Sequence, residues 1–383
     1  MPLVPVNAQP VRQPNQVTPT EIFEALRASV LGQDEVLRPV ALAIHKHTTG
    51  AVPGNLLLVG NSGTGKTTIM RAVQRLFRER PEYAAFRAMA VINANLLVDA
   101  ERLEFRPDRL LAAVEGRARA EIGHTPSAEE LERTMARATV CIDEIDKMSA
   151  KLAGKANPIG IALQQGLLTL MEGSLVPIRC RVRAGEREEL RTLEIDTRRM
   201  MFICGGAFEG LYEQVYARVI APGSGVKLRS TMVQSADGNL RFETRFALGE
   251  FFRMEDLFEY GMVPQFASRF ESVLLLAELT LPVLQQILRE APESPFRRSQ
   301  AYFAAQGIAL EIDAEAAALI AEQADRSARM GARALRTVFS RVVAPLEFDP
   351  WGSGALQPNE RGGFNLLITG AMVRAALQAA ASK

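Results

Sequence analysis

The stretch NLLLVGNSGTGKTTIM, residues 55–70, constrains the fold more than any other part of this chain. Its apolar run LLLV (56–59) is bounded by glycine, the pattern of a strand buried in a parallel sheet. A loop of glycines and hydroxyls follows, then Lys66 and a segment of helical period, TTIMRAVQRLFRER. Gly60 to Thr67 fits G-x-x-x-x-G-K-[ST]. Glycines let backbone N–H groups turn inward around phosphate oxygens, and a helix start points its positive end at the same anion. The expected phosphate-binding set is Asn61, Ser62, Gly63, Thr64, Gly65, Lys66, Thr67 and Thr68. Within it, Lys66 reaches the β- and γ-phosphates of ATP and the Thr67 hydroxyl faces Mg2+.

Further apolar runs alternate with helical segments. AVIN (90–93), ATVCIDEID (138–146) and MMFICGG (200–206) read as strands, and strands alternating with helices indicate a parallel α/β sheet. The second of these runs ends in paired acids. Asp143 is suited to hold Mg2+ through water, and Glu144 to orient and activate an attacking water. Two acids rather than one favour hydrolysis over nucleotide storage. A dinucleotide-binding dehydrogenase fits poorly, because no G-x-G-x-x-G stands at a strand-to-helix turn.

Composition narrows the setting. The 383 residues carry 45 basic and 44 acidic side chains, so no global field draws the chain to nucleic acid or an acidic membrane. No apolar run approaches the length of a membrane span, and the N-terminus lacks the apolar block of a signal peptide. Cys141, Cys180 and Cys204 form no Cys-x-x-Cys pair, which argues against structural zinc and suits a reducing cytoplasm.

The Pro-, Gln- and Asn-rich residues 1–19 read as a disordered tail, 20–278 as a large α/β domain, and 279–383 as a smaller, mostly helical domain. The segment from Thr20 to Lys46 reads as two helices broken near Gly32, with Pro39 in about the first turn of the second. Ser127 with Glu130 marks a capping box. The charged stretch 177–199 reads as a β-hairpin or a mobile insertion. Short strands are expected at 308–312 and 365–369.

With these residues in view, the chain resembles the AAA+ ATPases, and within them the ClpX (Clp/HslU) family, from about residue 20 to 383. The likeness runs through SVLGQDEVLRPVALAIHKH, CIDEIDKMS, IALQQGLLTLMEGSLVPI, FICGGAFEGL, YGMVPQFASRFESVLLLAELT and MGARALRTVFSRVVAPLEFDP, in that order. It implies an AAA+ P-loop ATPase fold, a parallel-sheet large domain and a small helical domain. It also implies a homo-oligomeric ring, a hexamer, acting on a protein client. By the same resemblance Leu31 and Gly32 lie near adenine. Arg269 acts as an arginine finger in the neighbouring subunit's site, and Arg333 senses phosphate within its own subunit. Planar guanidinium groups suit both tasks. No polar sensor residue is evident on the strand ending at Gly206.

Three departures accompany the likeness. The family's N-terminal zinc-binding domain is replaced by the short tail. Its aromatic pore loop corresponds here to Glu101-Arg102-Leu103-Glu104, and its peptidase-docking triplet is missing from PGSGVKLRSTM (222–232). A remodelling ATPase that works without a ClpP-type peptidase is therefore expected. Two alternatives stand beside it. One is a threading unfoldase that grips with Arg102 and Leu103. The other is an ATP-dependent switch on nucleic acid, suggested by the arginines of 179–199 but opposed by their neighbouring glutamates and the lack of stacking aromatics.

Overall fold

The computed structural model describes residues 17–381 other than 100, 153, 227, 235–239, 327–330 and 361. Residues 1–16 of the expected tail lie outside this set. Residues 17–19, expected in that tail, are tied to the first two helices: the Val17 carbonyl accepts from His45 Nδ1 at 3.0 Å, and Thr18 caps the helix that Pro19 opens. The Thr18 hydroxyl accepts the Glu21 N–H and the Glu21 carboxylate accepts the Thr18 N–H at 2.7 Å, a reciprocal box that starts helix α1 (Pro19–Arg27). Helix α2 (Asp34–Thr48) starts earlier than expected, with Asp34 and Glu35 in its first turn. Pro39 consequently sits inside the helix, beyond the first turn, where it leaves the Glu35 carbonyl without its usual donor.

Five strands form the main sheet: β1 (Leu56–Val59), β2 (Met89–Asn93), β3 (Thr139–Asp143), β4 (Met201–Gly206) and β5 (Ser272–Leu275). Their spatial order is β5-β1-β4-β3-β2, and every pairing is parallel. Parallel strands present all their carboxyl ends along one edge, where open α/β sheets bind ligands. Register fixes which tips are neighbours: Val59 pairs with Gly206, and Asn93 with Asp143.

Both faces of the sheet are covered. Leu56, Leu58, Cys141 and Ile203 bury one face under α1, α2 and the helix after the glycine loop, α3 (Lys66–Glu79). Leu57, Val59, Ile142 and Phe202 bury the other under the helices Pro107–Ile122, Pro158–Glu172 and Leu211–Ile220. A third core draws only on residues from Leu279 onward. It packs four helices and a further one at the C-terminus around strands Ile308–Ile312, Leu356–Pro358 and Phe364–Ile368.

The charged stretch forms a hairpin of Leu175–Ala184 against Arg187–Asp196. It is not a free insertion, because Cys180, Val182, Leu193 and Ile195 are buried in the main core. The alternating Arg179, Arg181 and Arg183 stay exposed. The Ser127 box is half formed. Ser127 accepts the Glu130 N–H at 3.2 Å, but the Glu130 carboxylate faces His124 Nε2 at 3.3 Å instead of turning back.

Candidate nucleotide site

A cleft of about 910 Å3 opens at the carboxyl edge of the sheet, between α3 and the C-terminal core. That is ample for a nucleoside triphosphate. Ser62 to Thr68, Asp143, Glu144, Arg333 and Leu31 line it, so these expected residues converge. Gly32 and Asn61 do not line it. Gly32 packs towards Val283 instead, and Asn61 donates from Nδ2 to Glu278 Oε1 at 3.3 Å. Arg269 is also outside the cleft, exposed and ion-paired with Glu172 at the end of helix Pro158–Glu172.

Lys66 is buried, and its ammonium donates to the Gly60 carbonyl and to the Asn61 carbonyl, the latter at 2.9 Å. Burial lowers its pKa, opposed by the charges of Asp143 and Asp146 and aided by that of Arg333. The ammonium thus holds loop carbonyls that an anion's oxygens can displace. Thr67 Oγ1 donates to Asp143 Oδ2 at 2.9 Å, which places two hard oxygen donors side by side.

Glu144 follows Asp143 at φ 59°, a left-handed conformation unusual for a residue with a side chain. Strain of this kind clusters at functional sites. Its N–H donates to Asp143 Oδ1 at 2.9 Å, and its carboxylate accepts from Lys147 Nζ at 2.8 Å and Asn93 Nδ2 at 2.6 Å. These two donors, Lys147 foremost, hold the Glu144 pKa below its ordinary value.

Strand β4 ends in Gly205 and Gly206 with no polar side chain of its own. The polar group there is Asp146, whose carboxylate accepts the Phe208 N–H at 3.2 Å. Burial raises its pKa, while the Phe208 and Ala207 N–H groups and Lys66 oppose the rise.

The C-terminal core touches the glycine loop directly. Arg333, in the first turn of helix Ala332–Phe348, donates to Ser62 Oγ at 2.6 Å, and the Ala332 N–H donates to the Gly63 carbonyl at 3.1 Å. At Gly331 a Cβ would lie 2.9 Å from the Gly63 backbone, so only glycine permits this approach.

Sequence reasoning missed Asn93, Lys147, Asp146 and Gln33. Two carried a visible signal: Asn93 is the polar end of an apolar strand, and Lys147 follows Glu144 by one helical turn. Gln33 carried none.

Residues 52–273 match the AAA domain (Cdc48 subfamily). This chain belongs to the AAA+ ATPases. Among curated proteins the ATPase is similar to the ATP-dependent Clp protease ATP-binding subunit ClpX of Porphyromonas gingivalis, 26% identical over 351 residues, covering 86% of this chain and 77% of the relative. It is likewise similar to ClpX of Azotobacter vinelandii, 27% identical over 357 residues, with 88% and 75% covered. ClpX 2 of Wolinella succinogenes is 28% identical over 344 residues, with 86% and 77% covered. The ATPase is thus ClpX-like over most of its length. Among its described residues no helix is long and apolar enough to cross a membrane.

Proposed function

We propose that this ATPase hydrolyses ATP in a cytoplasmic, hexameric ring and uses the energy to remodel a dedicated protein client without a ClpP-type peptidase. Residues 20–278 act as the large domain and 279–383 as the small one. The observation that carries the reading is the convergence of Lys66, Thr67, Asp143, Glu144 and Arg333 on one cleft. Lys66 exchanges its loop carbonyls for β- and γ-phosphate oxygens. The paired oxygens of Thr67 and Asp143 suit Mg2+, which takes few protein ligands and keeps water and phosphate oxygens for the rest. Bound there, the ion supplies charge neutralisation at the phosphates. Glu144 orients and deprotonates the attacking water. Arg333 ties phosphate state to the angle of the small domain, and Leu31 packs near the base.

Arg269 completes a neighbour's site. Its exposure and its position outside its own cleft support a role in trans, where a guanidinium offsets charge on the transferring phosphoryl group. Clients are proposed to be proteins because the relatives are named as subunits of a Clp protease. The pore position argues for remodelling rather than gripping. Glu101 to Leu103 form a turn that leads into the two-residue strand Glu104–Phe105, which pairs with Val98–Asp99, and Asp99 anchors the turn by accepting the Glu101 and Arg102 N–H groups. No aromatic paddle is present in it.

One observation favours threading as a second reading: Leu103 stands 46% exposed at φ 55° in that turn. Of the docking segment 222–232, residue 227 lies outside the described residues, and its sequence carries no docking triplet. The deciding experiment is ATP hydrolysis by the purified chain beside Glu144→Gln. The variant should bind ATP and lose about 10²–10⁴ in kcat. Equal rates in the two proteins would refute the reading. A tagged unfolding reporter with Leu103→Ala separates threading from remodelling.

A further inference from the structure

Gln33 is 3% exposed, and its side-chain amide joins three distant parts of the chain. Nε2 donates to the Thr64 carbonyl at 3.0 Å and to the Ala277 carbonyl at 2.8 Å. Oε1 accepts the Ala277 N–H at 3.0 Å. Gln33 occupies the N-cap position of α2, yet its side chain makes no capping bond to that helix. The amide is given over wholly to its distant partners.

Each partner has a mechanical meaning. Thr64 belongs to the phosphate loop. All peptide bonds described are trans, so a carbonyl held by Gln33 turns the next N–H, that of Gly65, in the opposite direction. Gly65 lines the nucleotide cleft. Gln33 therefore sets the orientation of one phosphate-loop peptide. Ala277 lies two residues past β5 and just before Leu279, which lines the cleft and packs on the C-terminal core. Gripped at both its N–H and its carbonyl, Ala277 cannot rotate about its peptide planes without breaking those bonds. The neighbouring Gly32 meets a helix of that core, since a Cβ there would come within 2.5 Å of Val283 Cγ1 in helix Leu281–Glu290.

We infer that Gln33 is a positioning residue that couples the phosphate loop to the linker at Ala277, so that phosphate occupancy and small-domain angle change together. This rests on the proposed function. Gln33 touches no reacting atom. A twist of the Thr64 peptide on phosphate binding pulls on an amide whose other two bonds hold the linker, and buried polar groups do not release such bonds cheaply.

The test uses the full chain. Its three cysteines are buried, so cysteines introduced at the exposed positions Ala51 and Ala375 take a fluorophore pair selectively. Two variants are compared with the parent. Gln33→Met keeps volume and loses all three bonds. Gln33→Asn keeps the amide but falls short by one methylene, so it cannot hold Thr64 and Ala277 together. The parent should change energy transfer on adding ATP and Mg2+. The variants should bind a fluorescent ATP analogue within about threefold of the parent, lose the transfer change, and fall about tenfold in kcat. Such a split between binding and turnover does not follow from a structural role. Retained transfer change and kcat in a variant that melts cooperatively would overturn the inference, as would loss of cooperative folding in both variants. A parent that neither binds nor hydrolyses ATP defeats the proposed function instead.

Discussion

Asn93 Nδ2 and Glu144 Oε2 lie 2.6 Å apart across adjacent parallel strands, the amide donating to the carboxylate. The contact follows from register, because Asn93 pairs with Asp143 and Glu144 is the next residue. Together with Lys147 it keeps the carboxylate ionised and held in place while no substrate competes for it.

Removing Lys147 should move a pH limb. The largest influence lowering the Glu144 pKa is the Lys147 hydrogen bond, so Lys147→Ala lets that pKa rise towards its ordinary value. A raised pKa means the base protonates at higher pH. The acid limb of kcat/KM for ATP hydrolysis should therefore shift upward in the variant. Superimposable acid limbs in parent and variant would exclude Glu144 as the titrating base.

Mixing two inactive variants should restore hydrolysis. Arg269→Ala lowers kcat by about 10³-fold or more if its guanidinium completes a neighbour's site. Lys66→Ala removes phosphate binding from its own site. An assembly of both contains clefts with intact Lys66 beside intact Arg269, so the mixture should exceed the sum of its parts. A purely additive rate across all mixing ratios counts against a shared site.

His47 should make the fold acid-sensitive. It is 4% exposed and hydrogen-bonds the Arg137 carbonyl at 3.2 Å, and burial lowers its pKa from 6.5 to about 4. Between those values the unfolded chain binds a proton that the folded chain refuses. Stability is present in full above pH 6.5 and is lost as pH falls towards 4, by roughly 3 kcal/mol from this group. Denaturant titrations at several pH values should show a shallower loss in His47→Gln, and parallel curves for the two proteins would be incompatible with this assignment.

The phosphate loop and the acid pair were legible because their chemistry demands contiguous residues. Lys66 must follow its glycines, and Asp143 must end an apolar strand. The pairing of Asn93 with Glu144, 51 positions on, and Gln33 altogether were not legible, since Asn93 meets its partner only through sheet register and Gln33 meets partners as many as 244 positions away only through domain packing. Alternation announced the hairpin of 175–196, but arginines on one face hid how deeply Cys180 and Val182 sit on the other. Pro39 misled by one turn, because α2 tolerates a missing donor once its other residues are buried.

Arg218, half-buried, is the counter-ion of the buried Asp256, and its loss should be costly. Arg218 donates from Nε and Nη2 to the two Asp256 oxygens at 2.8 and 2.9 Å, and the Arg253 N–H donates at 2.7 Å. The Asp256 side chain is only 2% exposed. Arg218→Ala leaves that carboxylate without its counter-ion and should destabilise by roughly 3–5 kcal/mol in denaturant unfolding. A loss under about 1 kcal/mol would show the pair to behave like a surface one.

At Gly331 backbone presses on backbone, with no side chain between it and Gly63 to absorb slack. Any displacement of the loop must pass undamped into the 17-residue helix that begins one residue later. Such a helix is about 25 Å long, so it would act as a lever arm with its fulcrum at the glycine loop. A shift too small to notice at the joint becomes a broad arc at the far tip, where Phe348 stands almost bare to solvent.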